Sequence, residues 1–110
     1  MKAFRIGMAQ INPVVGDLEG NTQKIIEYLG KGRELGVDLI TFPELAVPGY
    51  PPEDLLLMPE FIKANLDCLS SIVKSSGGIT ALVGFIDMAE DIFNAAAVVQ
   101  DGELVDVYHK

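Results

Sequence analysis

A chain of 110 residues with 16 acidic and 8 basic side chains, formal net charge −8, has room for at most one ordinary domain. No basic stripe offsets the acid, which argues against a nucleic-acid partner or an anionic membrane surface. The hydrophobic share is 49% and the mean hydropathy +0.31, more apolar surface than so short a chain buries alone, so further chain or a partner subunit is expected to cover the rest. The only cysteine, Cys68, excludes an internal disulfide. The opening "MKAFRIGMAQINPVV" is interrupted by Arg5, Gln10, Asn12 and Pro13, and so lacks the apolar core of a secretory signal. With no transmembrane span in the sequence either, a cytoplasmic protein is expected.

The elements alternate along the chain. "AFRIGMAQI" (Ala3–Ile11), ended by Asn12-Pro13, reads as a buried first strand. A helix follows, with Asn21 as its expected N-cap, Ile25, Ile26 and Leu29 as its apolar face, and Gly36 as its stop. Gly30 and Gly32 weaken its middle by about 1 kcal/mol each relative to alanine. "VDLITF" (Val37–Phe42) reads as a second buried strand. A second helix is predicted from about Pro59 to Ser75, where Met58, Phe61, Ile62, Leu66, Leu69, Ile72 and Val73 recur at three- and four-residue spacing. "ITALVGF" (Ile79–Phe85) is a third strand, and "NAAAVVQ" and "ELVDVYHK" flank Asp101-Gly102, a strong two-residue hairpin signal. The order β-α-β-α-β plus an antiparallel hairpin predicts an α/β fold, a mixed sheet with two helices on one face and an apolar opposite face.

In open α/β sheets the working groups gather at the carboxyl ends of the strands. Glu44 stands just past the second strand, inside "TFPELAVPGYPPEDLLL", and Lys110 at the end of the last. A carboxylate there can take a proton from a nucleophile, and an ammonium can stabilise a developing oxyanion. Plainer readings stand beside these. Glu44 could cap the loop that follows, Pro48, Gly49, Pro51 and Pro52 could form a rigid turn, and Lys110 could be a solvated terminal lysine. His109, the only histidine, falls by alternation on the opposite sheet face from Lys110 and reads as packing. Cys68, in the middle of the second helix on the border of its apolar stripe, reads as a small core hydrophobe, so the nucleophile is missing. No phosphate-cradling glycine loop or metal-ligand spacing is present.

"RIGMAQINPVVGDLEGN", "GVDLITFPELAVPGYPPEDLLL" and "GFIDMAEDIFNAAAVVQDGELVDVYHK" together resemble the opening of the nitrilase (carbon–nitrogen hydrolase) superfamily. The continuation Pro51-Pro52-Glu53-Asp54-Leu55-Leu56 is similar to the branch whose glutaminase domain begins glutamine-dependent NAD+ synthetases. The resemblance covers nearly all of the chain, while residues 1–110 cover well under half of that domain, with no second domain. It implies an α-β-β-α sandwich whose second sheet layer lies largely outside this chain. It implies Glu44 in "FPEL" as general base, Lys110 in "YHK" as stabiliser of the tetrahedral intermediate, and Tyr50 in "PGYPP" as a wall of the glutamine pocket. The Glu-Lys-Cys triad's cysteine falls past Lys110, and Cys68 does not match it. Glutamine is the implied substrate and a homo-oligomer the implied assembly. ATP and Mg2+ are expected only in the parent enzyme's synthetase domain, where deamido-NAD+ is amidated, and no cofactor in these residues. An amidase acting on a small free amide and a non-catalytic binding or assembly module remain the alternatives.

Overall fold

The apolar run around Ile6 forms strand β1 (Ile6–Met8), and the run after Gly36 forms β2 (Leu39–Thr41). Both are shorter than the sequence suggests. β1 pairs in parallel with β2, and β2 in parallel with β3 (Thr80–Met88), each over three residues, because past Thr41 the chain leaves the ladder for a proline-rich loop. β4 (Ile92–Gln100) and β5 (Glu103–His109) complete a mixed five-stranded sheet in the order β1-β2-β3-β4-β5, antiparallel in its last two pairings. The computed structural model describes residues 3–110. Asp101-Gly102 makes the expected two-residue turn, with φ of 49° and 81°. Its amides are fastened to the end of the second helix: Asp101 N donates to Ser76 O (3.0 Å) and Gly102 N to Ser76 Oγ (2.9 Å).

Helices α1 (Leu18–Glu34) and α2 (Pro59–Lys74) cross from β1 to β2 and from β2 to β3. Parallel crossovers are right-handed as a rule, so two taken in the same direction put both helices on one face. Ile25 and Leu29 of α1 and Leu69 and Ile72 of α2 share a single buried cluster with Ile40, Ala81, Val83, Phe85, Ala95, Ala97 and Val99 of the sheet. Each fully buried Ile, Leu or Phe there is worth about 1.5–3 kcal/mol in area removed from water. Alternation leaves the other face to Ile6, Met8, Leu82, Ala96, Val98 and Tyr108, of which Ile6, Met8 and Tyr108 are more than half exposed. The apolar outer face expected from the sequence is present.

One cap is corrected. α1 starts earlier than Asn21, at Leu18, with Asp17 as N-cap: its Oδ1 accepts from Gly20 N at 3.0 Å. Asn21 is inside the helix and fully buried, because its side chain serves two loops instead. Oδ1 accepts from Val14 N (2.8 Å), and Nδ2 donates to Val14 O (2.8 Å) and Val47 O (3.0 Å). Asn21 thereby ties the Val14 loop to the segment that carries Glu44. Asn65 of α2 does a related task on β3, donating to Ile86 O (2.6 Å) and accepting from Ile86 N (3.1 Å) where β2 no longer pairs. Both asparagines satisfy buried or part-buried backbone groups that no strand reaches.

Candidate active site

After Thr41 the chain follows the β3 edge for one more rung, Phe42 N to Leu82 O at 3.2 Å, then rises over the sheet. Pro43 and Glu44 make the crest. Leu45 takes φ 50°, a left-handed conformation that costs a non-glycine residue about 1–3 kcal/mol and persists only where its surroundings impose it. Here they do. Leu45, Ala46 and Val47 are buried, Val47 N donates to Gly84 O (3.1 Å), and Gly49 N donates to Leu45 O (2.9 Å). Gly84 of β3 makes room for the crest, since its α-carbon faces the Pro43–Leu45 backbone at a spacing no side chain would permit. The buried residues on one side anchor the loop, and the Glu44 side chain is left facing solvent.

Lys110 arrives from the opposite edge. β5 runs parallel in direction to β2 and β3, so its carboxyl end lies at the same end of the sheet as Glu44. Lys110 N makes a last rung to Asn94 O (2.9 Å), and its ammonium donates to Glu44 Oε2, an ion pair between residues 66 apart in sequence. Both side chains stay partly open to water. The hydrogen bond from Lys110 holds the Glu44 carboxyl below the usual glutamate range, and the neighbouring Asn94 side chain acts in the same direction. Glu44 in turn raises the Lys110 ammonium, with smaller contributions from the Tyr50 and Tyr108 phenols. The pair is therefore charged on both sides at neutral pH. It overlooks a hollow of about 370 Å3 on the outer sheet face, floored by Leu82, Gly84 and Ala96 and walled by Asn94 and Tyr108. Tyr50, 63% exposed, stands in the adjoining hollow, which shares Asn94 as its border.

The structure thus brings Glu44 and Lys110 together and places Tyr50 beside them. It sets Cys68 apart, on α2 behind the sheet, packed against the helix-side core with Sγ 3.9 Å from Leu18 O. His109 packs as alternation suggested, stacked on Phe93 at 4.1 Å between centroids. Two neighbours of the pair were not singled out from the sequence. Gly84 had a signal, an isolated glycine inside the apolar run "ITALVGF", which marks close backbone approach. Asn94 had only its position, a polar residue heading the run "NAAAVVQ". Among the described residues no three His, Cys, Asp or Glu side chains gather to hold a metal ion, and no helix is long and apolar enough to cross a membrane.

Residues 5–110 match the family model for carbon–nitrogen hydrolases. The chain belongs to that family. The glutamine-dependent NAD(+) synthetase of Thermotoga maritima is 50% identical across all of this chain, which spans 19% of that protein. The synthetase of the same name from Xanthomonas campestris is 44% identical over 97% of the chain and 20% of its own length. This carbon–nitrogen hydrolase chain thus spans about a fifth of the curated relatives it matches, aligned to their N-terminal region. Among solved structures, the glutamine-dependent NAD+ synthetase of Acinetobacter baumannii in complex with ADP superposes with a TM-score of 0.92 at 39% identity, covering 99% of this chain and 21% of that one. An amidase from a Nesterenkonia species superposes at 0.82 with 24% identity, over 97% of this chain and 42% of its own, a likeness of fold.

Proposed function

We propose that these 110 residues are the opening part of the glutamine-hydrolysing, ammonia-supplying domain of a glutamine-dependent NAD+ synthetase. Glu44 is its general base and Lys110 its oxyanion stabiliser. The observation that carries this reading is the Glu44–Lys110 ion pair at the carboxyl ends of the strands, open to a hollow on the outer sheet face. A base and an ammonium already in contact at the reacting centre need no reorganisation when charge develops there. In this reading the thiol comes from chain outside these residues, since Cys68 lies behind the sheet.

Glu44 takes the thiol proton and the thiolate attacks the side-chain amide carbon of glutamine. The Lys110 ammonium stabilises the resulting oxyanion. Collapse of the tetrahedral intermediate breaks the C–N bond, and the proton held by Glu44 leaves with ammonia. Glu44 then activates water to hydrolyse the glutamyl thioester to glutamate. Tyr50 walls the pocket for the glutamine. ATP and Mg2+ would serve a synthetase domain elsewhere in the parent enzyme, and a homo-oligomer in the cytoplasm belongs to the same proposal.

The test is made in the complete enzyme. Glu44→Gln and Lys110→Ala should each lower glutamine hydrolysis by about a hundredfold or more, while synthesis supplied with free ammonia continues. A free small amide hydrolysed in preference to glutamine would replace this reading with that of an amidase. Wild-type hydrolysis in both variants would overturn the assignment of roles.

A further inference from the structure

Lys110 is the first residue past β5, held there by a single backbone hydrogen bond to Asn94 O. A lysine stem is long and its rotamer entropy is about 2 kcal/mol, so that one rung does not by itself aim an ammonium. The preceding residue supplies the missing restraint. The His109 ring lies flat on Phe93 of β4, with centroids 4.1 Å apart and planes 5° from parallel. Its Nε2 meets Asp87 Oδ2 of β3 at 2.6 Å. A carboxylate only accepts, so this nitrogen carries the proton. The other Asp87 oxygen is fixed as well, accepting from Met88 N at 2.9 Å.

The register explains the reach. Asp87 pairs with Phe93, and Ala95 with His109, so Asp87, Phe93 and His109 share the helix-side face and the imidazole bridges two strands diagonally. The cross-strand partners nearest the end of β5 are Ala95 and Ala96, whose methyl groups give little to grip. His109 therefore grips β5 next to Lys110. Because successive side chains point to opposite faces, fixing the roll of His109 fixes the roll of Lys110.

We propose that His109, clasped to Asp87 and stacked on Phe93, is a positioning residue that aims Lys110 at Glu44 from the opposite face of the sheet. The proposal rests on the functional reading above. Without the clasp the end of β5 rolls about its axis, and the ammonium leaves the place where the oxyanion forms. A misplacement of about 1 Å at a reacting centre costs up to about a hundredfold in rate while leaving substrate contacts elsewhere intact.

The experiment uses the complete enzyme and compares glutamine hydrolysis with ammonia-supplied synthesis. His109→Ala and Asp87→Ala should each lower kcat for glutamine about tenfold to a hundredfold, with KM changed by less than about threefold and ammonia-supplied synthesis at the wild-type rate. Phe93→Tyr, which keeps a ring under the imidazole, should retain wild-type kcat. Phe93→Leu, which keeps the apolar bulk without the ring, should lower kcat with the same constant KM, and it reads the stack should His109→Ala fail to fold. Unchanged kcat in His109→Ala or Phe93→Leu overturns the proposal. So does a parallel fall of both activities, which would mean that the clasp only stabilises the fold. Glu44→Gln runs alongside: if it leaves glutamine hydrolysis intact, the functional reading has failed rather than the clasp.

Discussion

Gly84 lies directly beneath the Glu44–Leu45 peptide: a Cβ built on it would stand 2.4 Å from Leu45 N and 3.0 Å from Pro43 O. Both are backbone atoms and cannot swing aside as a side chain can. Gly84→Ala should therefore lift the crest of the loop, lowering stability by about 1–3 kcal/mol as overpacking does. In the complete enzyme it should reduce glutamine hydrolysis more than ammonia-supplied synthesis, because Glu44 rides on the displaced peptide. Wild-type hydrolysis with an alanine in place would show that the loop has slack.

The ion pair makes a pH prediction of definite sign. The folded-state pKa of Glu44 is depressed, so its contribution is present above the ordinary glutamate pKa and is lost as pH falls through the lowered value. That of Lys110 is raised, so its contribution is present below the ordinary lysine pKa and is lost as pH rises through the raised value. The pair should hold across the whole neutral range and open at both extremes. A 13C titration of the Glu44 carboxyl checks this. Lys110→Met removes the largest cause and should bring that carboxyl back up toward the ordinary range, whereas an unmoved titration would deny the coupling.

Asn21 offers a stability test away from the pair. Asn21→Ala strands Val14 N and Val47 O and leaves Val14 O with only its bond from Asp17 N, in a site where the asparagine itself is 0% exposed. Leaving buried backbone groups unpaired should cost about 3 kcal/mol. Asn21→Asp should be at least as harmful, since a carboxylate would face two carbonyl oxygens. Chemical denaturation of the intact protein measures both, and a loss below about 1 kcal/mol would mean that water replaces the side chain.

Cys68 should be chemically quiet. It is half-buried against the helix-side core, and its thiol points to a carbonyl of α1 rather than to the ion pair. Cys68→Ser should lower stability by about 1 kcal/mol and leave glutamine hydrolysis unchanged. Mass spectrometry after treatment with a glutamine-like electrophile should find Cys68 unmodified. Its labelling, lost in Glu44→Gln, would make the helix cysteine the nucleophile.

Features governed by a single period were legible in the sequence. The seven apolar positions from Met58 to Val73 give α2 nearly residue for residue, and Asp101-Gly102 gives the hairpin. The neighbourhood of Glu44 and Lys110 was legible too, because both follow strands that run in one direction. What escaped was decided by partners distant in sequence. Asp17 and Asn21 are both good caps, and only the bonds of Asn21 to Val14 and Val47 select Asp17. β3 runs three residues beyond Phe85 because Ile86, Asp87 and Met88 pair with Asn94, Phe93 and Ile92. The expected strand ended before Asp87, so nothing in the pattern offered a partner for His109.

The separation of 66 positions between Glu44 and Lys110 also sets an order of assembly. β4 and β5 meet across a two-residue turn, and such hairpins close in about 1–10 μs. The Glu44 crest needs β2 beside β3, a parallel pairing that must wait for α2 to cross over. Ion pair and clasp therefore close on different schedules. His109 should then find Phe93 and Asp87 within the β3–β4–β5 meander before Glu44 comes in across Gly84. In pulse-labelled refolding, the amides of β4 and β5 should gain protection before Val47 N, whose bond to Gly84 O marks arrival of the loop.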